Sequence, residues 1–461
     1  MSNLLLERRH NTSMPDLFDV IVIGAGASGL TAAAQLGKSG VKVIILEARN
    51  RIGGRMYTQT DPVFGTPIEY GAEFIHGLSP EIFAPLQSHN VVVHEIEGDS
   101  WCVRHRQLTT CDFFGDVDKI LKKMDREQPD ESFLQFVKRC FPESSGSPSQ
   151  SEAIEHAISY VSGFNAADPD RVGIHWLVKG SEAEEELAGH RTFRSEHGYQ
   201  DLLDIMRRQL DAANVRVQLE TIVTSVSWKP GRVEVAGQRL GAPCHFSAKS
   251  ALVTLPLGVL KAGEGENGTV LITPSLPSAK LDALSKLEMG EAARVTLRFR
   301  ERFWDQIFPE GQKKSLVDLS LLLSQDEWIP TWWTTLPKRV PTLTGWAAFR
   351  RAERLSSLPD QQVGHCAVQS LAALLHQPVH QLEDLLEASY FHDWEADPYS
   401  RGAYSYGGVG ADGAQEALGS PVENTIFFAG EATDVTGNNG TVHGAISSGK
   451  RAAQEILNGL K

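Results

Sequence analysis

Val20-Ile-Val-Ile-Gly24-Ala-Gly26-Ala-Ser-Gly29 is the stretch that decides the fold. Residues 18–23 are a β-branched run, 28–38 read as a helix of small residues, and 41–47 are a second apolar run. Strand, glycine turn, helix and strand in that order make a βαβ unit of a parallel sheet. Within the turn, Gly24 permits the tight reversal, Gly26 lets the main chain approach a pyrophosphate, and Gly29 lets the helix close on the strand. Ala27 and Ser28 then present their amides at a helix N-terminus, where phosphate charge is favoured. Glu47, followed by Ala48, ends the second run about 20 residues further on, where a ribose hydroxyl pair needs a carboxylate acceptor.

Which dinucleotide fits depends on the residues just beyond Glu47. FAD extends its flavin far from the first glycines, and Glu47-Ala-Arg49-Asn-Arg51-Ile-Gly53-Gly54-Arg55 supplies that extension. Adjacent glycines let the main chain pass beside a cofactor, and Arg49 and Arg55 can meet the pyrophosphate and neighbouring acceptors. Arg51 is read as solvated surface charge, the ordinary state of an arginine.

Further along, residues 114–160 carry helical charge patterns, 141–152 read as a Pro/Ser/Gly loop, and 182–186 as a solvated acidic patch. Residues 215–220, 222–226 and 251–255 read as strands returning to the first sheet, and 294–299 with 344–349 as strands of a second. A last strand at 425–429 precedes a helix over 443–457, entered through Gly437-Asn-Asn-Gly440. The expected fold class is α/β. A Rossmann-like FAD-binding domain is assembled from 18–75, 210–290 and 385–461, with an interleaved α+β substrate-binding domain on a mixed sheet from 76–209 and 291–384.

The 461 residues suffice for two domains with a substantial core, and a net charge of −14 disfavours nucleic acid and draws in cationic ligands. The five cysteines, Cys102, Cys111, Cys140, Cys244 and Cys366, are scattered without a CxxC or a histidine companion. That spacing suggests neither a disulfide framework nor a metal site, and fits a reducing compartment. No run approaches the length of a membrane span, and residues 1–17 lack the apolar core of a secretory signal. Arg8 and Arg9 there are offset by Glu7 and Asp16, which speaks against a mitochondrial presequence and leaves the cytoplasm as the default location.

Six motifs carry a resemblance that spans nearly the whole chain. They are Leu46-Glu-Ala-Arg-Asn-Arg-Ile-Gly-Gly-Arg-Met56, Glu69-Tyr-Gly-Ala-Glu-Phe-Ile-His-Gly77, Leu252-Val-Thr-Leu-Pro-Leu-Gly258, Arg302-Phe-Trp304, Phe428-Ala-Gly-Glu-Ala-Thr433 and Thr441-Val-His-Gly-Ala445. With them the chain resembles the flavin-containing amine oxidase family, which includes polyamine oxidases, monoamine oxidases, L-amino-acid oxidases and flavin-dependent histone demethylases. The resemblance implies that Gly71, Ala72, Glu73 and Phe74 line the flavin, that Val223 meets the adenine end through its backbone, and that Trp394 packs near the flavin. It also sets Gly430 and Glu431 at a strand end beside the flavin, with a helix starting near Thr441-Val442. Amides and the positive end of that helix would offset the negative charge of a reduced flavin, while Glu431 would accept from ribityl or phosphate-side hydroxyls.

Amine oxidation needs a neutral amine with its α C–H aimed at the flavin N5, in a pocket that strips water from an ammonium and holds it over aromatic faces. By the resemblance, Tyr404 in Arg401-Gly-Ala-Tyr-Ser-Tyr406 is one wall of that cage and Thr441 the other. A one-sided cage is closer to polyamine oxidases and histone demethylases than to monoamine oxidases. Ala403 stands where monoamine oxidases carry the cysteine that bonds the flavin, so FAD is expected to be non-covalent. His76 stands where several polyamine oxidases place a histidine against the substrate chain, and an imidazole can bond an uncharged nitrogen or shuttle a proton.

Arg294 departs from the family, which has a lysine there that helps oxygen react. Arginine keeps the cation but not the compact point charge, and it does not deprotonate. Two outcomes are open: slow reoxidation with another acceptor preferred, or an arginine fork that holds the water. The catalytic candidates are therefore Arg294, His76 and Tyr404, and the substrate contacts His76, Tyr404 and Thr441, with no metal.

The expected reaction passes hydride from an amine carbon to flavin N5, giving an imine or aldehyde and, with oxygen, hydrogen peroxide. The net charge, the acids of 182–186 and His76 favour a polyamine-type small molecule. An acid that some polyamine oxidases carry appears here as Asn165 or is displaced to Asp168. An L-amino-acid or monoamine oxidase or dehydrogenase is the alternative. A substrate carboxylate would need Arg191, Arg194 or Arg350. A flavin-bound regulatory protein with lost catalysis is the remaining class, and Arg294 is the feature that fits it. Oligomeric state is not written in the motifs.

Overall fold

Strand Val20–Ile23 lies between Val43–Leu46 and Ser250–Val253, with Val215–Gln218 and Ile426–Phe428 at the edges, in a five-stranded sheet that is parallel throughout. The computed structural model describes residues 18–460 apart from 105 and 143–146. The N-terminal segment with Arg8 and Arg9 lies outside the described residues.

Period-two alternation divides these strands between two cores. Val20, Val22, Val43 and Ile45 face helices Ala27–Lys38 and Val442–Gly459, while Ile21, Ile23, Ile44 and Leu46 face a second layer of strands. Both faces are covered at the central strands, which is why Val20–Ile23 and Val43–Leu46 are continuous apolar runs. Small residues bring the helices close. A Cβ on Gly449 would stand 2.4 Å from Ser28 O, and one on Gly37 would stand 2.5 Å from Val215 Cγ2.

The second layer corrects the reading of residues 222–226. Strand Thr221–Lys229 belongs to a separate sheet with Arg232–Arg239, Ala242–Ala248 and Leu271–Thr273. Its alternation sends Val226 into the core beneath the parallel sheet, and the strand reaches the dinucleotide region only at its start.

A seven-stranded mixed sheet runs Leu386–Phe391, Ala292–Phe299, Thr342–Ala348, Thr331–Thr334, Leu319–Leu323, Asp99–Arg104 and Gln107–Thr110. Only the pairing of Leu319–Leu323 with Asp99–Arg104 is parallel. Leu386–Phe391 joins this sheet, so the chain returns toward the parallel sheet beyond Phe391 rather than at residue 385. Trp304, Trp332 and Phe299 fill its core beneath helix Asp360–Leu374.

Helices Phe113–Leu121, Phe133–Cys140, Pro148–Gly163 and Ile174–Glu186 pack beside it. Helix Pro148–Gly163 starts inside the stretch read as a loop, because Ser147 caps it by accepting from Gln150 N. The cysteine reading also changes: Cys102 and Cys111 are joined in a disulfide. Pairing of the last two strands brings them together, which a spacing of nine residues does not announce. Among the described residues no helix is long and apolar enough to cross a membrane.

Candidate functional site

The three glycines of the first turn play different parts. Gly24 has φ +109°, and a Cβ on Gly29 would stand 2.1 Å from Gly24 O, so one makes the turn and the other the close packing. A Cβ on Gly26 would meet nothing within 4 Å, and the same holds at Gly430. Both therefore present bare backbone to open space. The Gly53-Gly54 turn docks here: Gly53 N donates to Ala25 O at 2.8 Å, and Gly54 at φ +59° passes Gly26.

Glu47 is buried, accepting from Ala25 N at 2.8 Å and Arg49 N at 2.9 Å. Its main chain continues the site, since Thr221 N donates to Glu47 O, two residues before Val223. Arg49 is held by Asp397 at 2.7 Å and lies over the rings of Trp394 and Tyr399. Arg51 is not solvated surface charge. Its guanidinium sits 3.9 Å from the Tyr57 ring and donates to Gly54 O, and burial brings its pKa down to about 10.

Glu431 ties the C-terminal half to this turn. Its Oε1 accepts from Arg55 Nη1 at 2.9 Å, and its Oε2 accepts from Ser405 Oγ at 2.6 Å and Gly440 N at 3.0 Å. Trp394 donates to Tyr70 O and packs on Gly71, whose α-carbon is so close to Arg55 O that no Cβ fits. Ala72 N donates to Arg55 O. Glycine turn, Gly54-Arg55, Gly71-Ala72 and Gly430-Glu431 thus form one continuous lining.

The lining leads to a buried charge cluster. Glu73 Oε1 accepts from Arg194 Nε at 2.7 Å, and Oε2 from Trp333 Nε1 at 3.0 Å and from Arg294. Arg294 also donates to Gly71 O at 2.7 Å, while its Nε is buried without a partner. Burial lowers the pKa of both guanidinium groups, to about 10 for Arg294 and about 9 for Arg194. Glu69 is buried nearby, accepting from Thr58 Oγ1 and Tyr199 N, and burial raises its pKa to about 7.

Aromatic side chains continue from there. Phe74 lies against Trp333, His76 and the Arg194 guanidinium, and Trp333 against Trp346. Tyr404 lies on strand Tyr404–Gly407 and donates to Phe164 O at 2.6 Å. Its ring packs on Gly440, where a Cβ would stand 3.3 Å away. Thr441 is adjacent, but its hydroxyl is used up: it accepts from Gly444 N and donates to Asn438 O, capping helix Val442–Gly459. Only its methyl face is left for a cage wall.

The His76 side chain is exposed by area, yet burial lowers its pKa. His443 lies within its electrostatic reach, with its pKa brought down to about 4 by burial first and His76 second. Among the arginines considered for a substrate carboxylate, Arg191 is forked onto Glu95, Arg194 onto Glu73, and Arg350 lies over Phe349. Asp168 Oδ1 caps Asp170 N, and Asn165 Oδ1 is buried without a partner.

Sequence reasoning missed Trp333, Ser405, Asp397 and His443. His443 lies inside Thr441-Val-His-Gly-Ala445 and Ser405 inside Arg401-Gly-Ala-Tyr-Ser-Tyr406, so the stretches that carry the resemblance already contain both. Trp333 offers no cue beyond an apolar strand.

Residues 104–457 match the family profile described as flavin containing amine oxidoreductase, and residues 22–88 match one described as an NAD(P)-binding Rossmann-like domain. The chain is 27% identical over 464 residues to polyamine oxidase 4 of Oryza sativa subsp. japonica, covering 95% of this chain and 88% of that protein. It is 27% identical over 505 residues to the peroxisomal N(1)-acetyl-spermine/spermidine oxidase of Homo sapiens, covering 95% and 94%. The structure of wild-type putrescine oxidase bound to putrescine superposes with a TM-score of 0.78 at 20% identity, over 96% of this chain and 100% of that one, a likeness of fold.

Proposed function

Because this chain belongs to the flavin containing amine oxidoreductase family, we propose that it oxidises a polyamine-type substrate with a non-covalently held FAD. Its residues fit that cofactor. Bare backbone at Gly26 and Gly430 leaves room for a phosphate and a sugar chain to lie against the main chain. The amides of Gly26, Ala27 and Ser28 would hold the pyrophosphate and Glu47 the ribose, with Val223 at the adenine end. Ala48 and Arg49, Gly54 and Arg55, Gly71 and Ala72, Gly430 and Glu431 would line the middle, and Glu73, Phe74, Trp394, Thr441 and Val442 the flavin end. When bound, the flavin supplies the hydride acceptor. No cysteine stands at Ala403, which supports a non-covalent cofactor.

The observation that carries the substrate reading is the packing of Tyr404 on Gly440, beside Thr441. It offers one aromatic face to an amine, and the opposite side presents only a methyl group. Burial keeps the Tyr404 phenol protonated, because its pKa is raised. His76, kept neutral by its depressed pKa, would accept a proton or a hydrogen bond from the amine. The names of the relatives from rice and human support a polyamine. The L-amino-acid alternative loses support, because Arg191 and Arg194 already hold carboxylates.

Arg294 bears on the electron acceptor. With its Nη groups on Glu73 and Gly71 O, it favours slow reaction with oxygen and another acceptor over a fork that holds water. A cytoplasmic location rests on composition, and the Cys102–Cys111 bond speaks against it. Fractionation of the tagged protein decides that point. Comparing wild type with His76→Ala tests the site: the variant loses turnover with polyamines and the acid limb of its pH profile. Unchanged turnover and an unchanged profile refute the role of His76.

A further inference from the structure

Two guanidinium groups close on one buried carboxylate. Arg194, on strand Thr192–Ser195, donates through Nε to Glu73 Oε1 at 2.7 Å, and Arg294, on strand Ala292–Phe299, pairs with Oε2. Arg194 is fixed on its other side as well, with Nη1 donating to Leu336 O at 2.6 Å and Nη2 to Thr334 O at 3.0 Å. Arg294 Nη1 donates to Gly71 O at 2.7 Å. An aromatic ring lies against each cation. The Arg194 guanidinium is 4.8 Å from the centroid of Phe74, that of Arg294 is 5.3 Å from the centroid of Trp333, and the two rings meet edge to face.

The charges in this cluster do not cancel. Side-chain exposure is 5% for Arg294, 11% for Glu73 and 13% for Arg194, so water screens them poorly. Among the described residues no other carboxylate forms an ion pair with either guanidinium. Both stay protonated at neutral pH, since burial lowers their pKa values only to about 10 for Arg294 and about 9 for Arg194. Glu69 is tied to Thr58 and Tyr199 instead, and with its pKa raised to about 7 by burial it offsets the surplus only in part. Two cations against one anion leave positive charge in a dry place, one hydrogen bond from Gly71.

We infer that Arg194 belongs to the redox centre as a positioning residue: by sharing Glu73 with Arg294 it keeps a surplus positive charge beside the flavin and raises the affinity of the flavin for electrons. The inference rests on the FAD-dependent reading, in which Gly71 to Phe74 line the flavin end. A reduced flavin carries a negative charge that the oxidised form lacks, so a buried cation nearby favours reduction. Without Arg194, Glu73 neutralises Arg294 one to one. Without the charge of Glu73, both cations act unopposed. The two removals therefore shift the flavin in opposite directions, whereas loss of packing carries no such sign.

The test measures the midpoint potential of the FAD-loaded protein at neutral pH, by equilibration with a reference dye during slow reduction by xanthine oxidase and without any amine. The equilibrium constant for flavin reduction is expected to fall about tenfold in Arg194→Met and to rise about tenfold in Glu73→Gln, shifts of about 30 mV for two electrons. Arg194→Lys keeps the charge and stays within about threefold of wild type. A potential in Glu73→Gln at or below that of wild type overturns the inference, and so does an unchanged potential in Arg194→Met. Should Arg194→Met fail to hold FAD, Glu73→Gln decides alone. A protein that gives the expected order of potentials but is reduced by no amine refutes the catalytic proposal alone.

Discussion

Arg55 Nη1 donates to Glu431 Oε1 at 2.9 Å and to Ala403 O at 2.7 Å, joining chain positions 376 and 348 residues apart. One side chain therefore fixes the extension of the first βαβ unit, the strand that carries Tyr404 and the turn before the last helix. Charge-assisted hydrogen bonds of this kind contribute about 1.5–3 kcal/mol. Glu431→Gln is expected to weaken FAD binding by roughly 10- to 100-fold, read by titrating apoprotein with FAD. Unaltered affinity would show that the pair is only structural.

The proposed role of Arg294 in the reaction with oxygen is open to direct test. Its Nη groups are spent on Glu73 and Gly71 O, while Arg194 holds Glu73 independently. Arg294→Lys replaces a fixed fork by a compact, mobile charge. Stopped-flow reoxidation is expected to quicken by about tenfold in that variant, with amine-dependent reduction little changed. Reoxidation of wild type at ordinary oxidase rates, falling in Arg294→Ala, would establish the water-holding alternative.

Glu69 gives stability a pH slope of defined sign. Its folded pKa, about 7 through burial, lies above the unfolded value of 4.5, so the folded state holds the extra proton between those limits. Its contribution is therefore favourable at low pH and is lost as pH rises from 4.5 to 7, a change of about 3 kcal/mol. Denaturant melts of Glu69→Gln should lack that part of the slope. If wild type and variant keep parallel stability curves across this window, Glu69 is ionised in the fold.

The disulfide between Cys102 and Cys111 closes a short loop across paired strands. Replacing both cysteines by alanine is expected to cost about 2–3 kcal/mol. Equal unfolding midpoints for oxidised wild type and the double variant would show that the bond adds nothing.

The features legible in the sequence were local ones. The glycines at 24, 26 and 29 have separate jobs dictated by their own backbone, and apolar runs in a covered parallel sheet leave little choice of structure. Partner choice was not local. Glu73 meets Arg194 and Trp333 from 121 and 260 positions away, so only packing reveals that two arginines share one carboxylate. Strand 221–229 resembles a returning strand because β-branched residues suit either sheet, although exposed residues alternate in it with buried ones while the central parallel strands are buried throughout. Arg51 looked solvated because nothing in its neighbours announces a stack on Tyr57. Thr441 could be placed beside Tyr404 but not seen to spend its hydroxyl on a helix cap.

A further measurement separates non-covalent from covalent cofactor. Acid precipitation is expected to leave all the yellow colour in the supernatant, because Ala403 offers no thiol. Flavin retained in the pellet would contradict that.

The most direct experiment mixes the oxidised, flavin-loaded protein anaerobically with polyamines, acetylated polyamines, aromatic monoamines and L-amino acids, following the flavin absorbance. Polyamines are predicted to bleach the flavin fastest and L-amino acids not at all. Bleaching by no amine, or by L-amino acids alone, would contradict the proposed function.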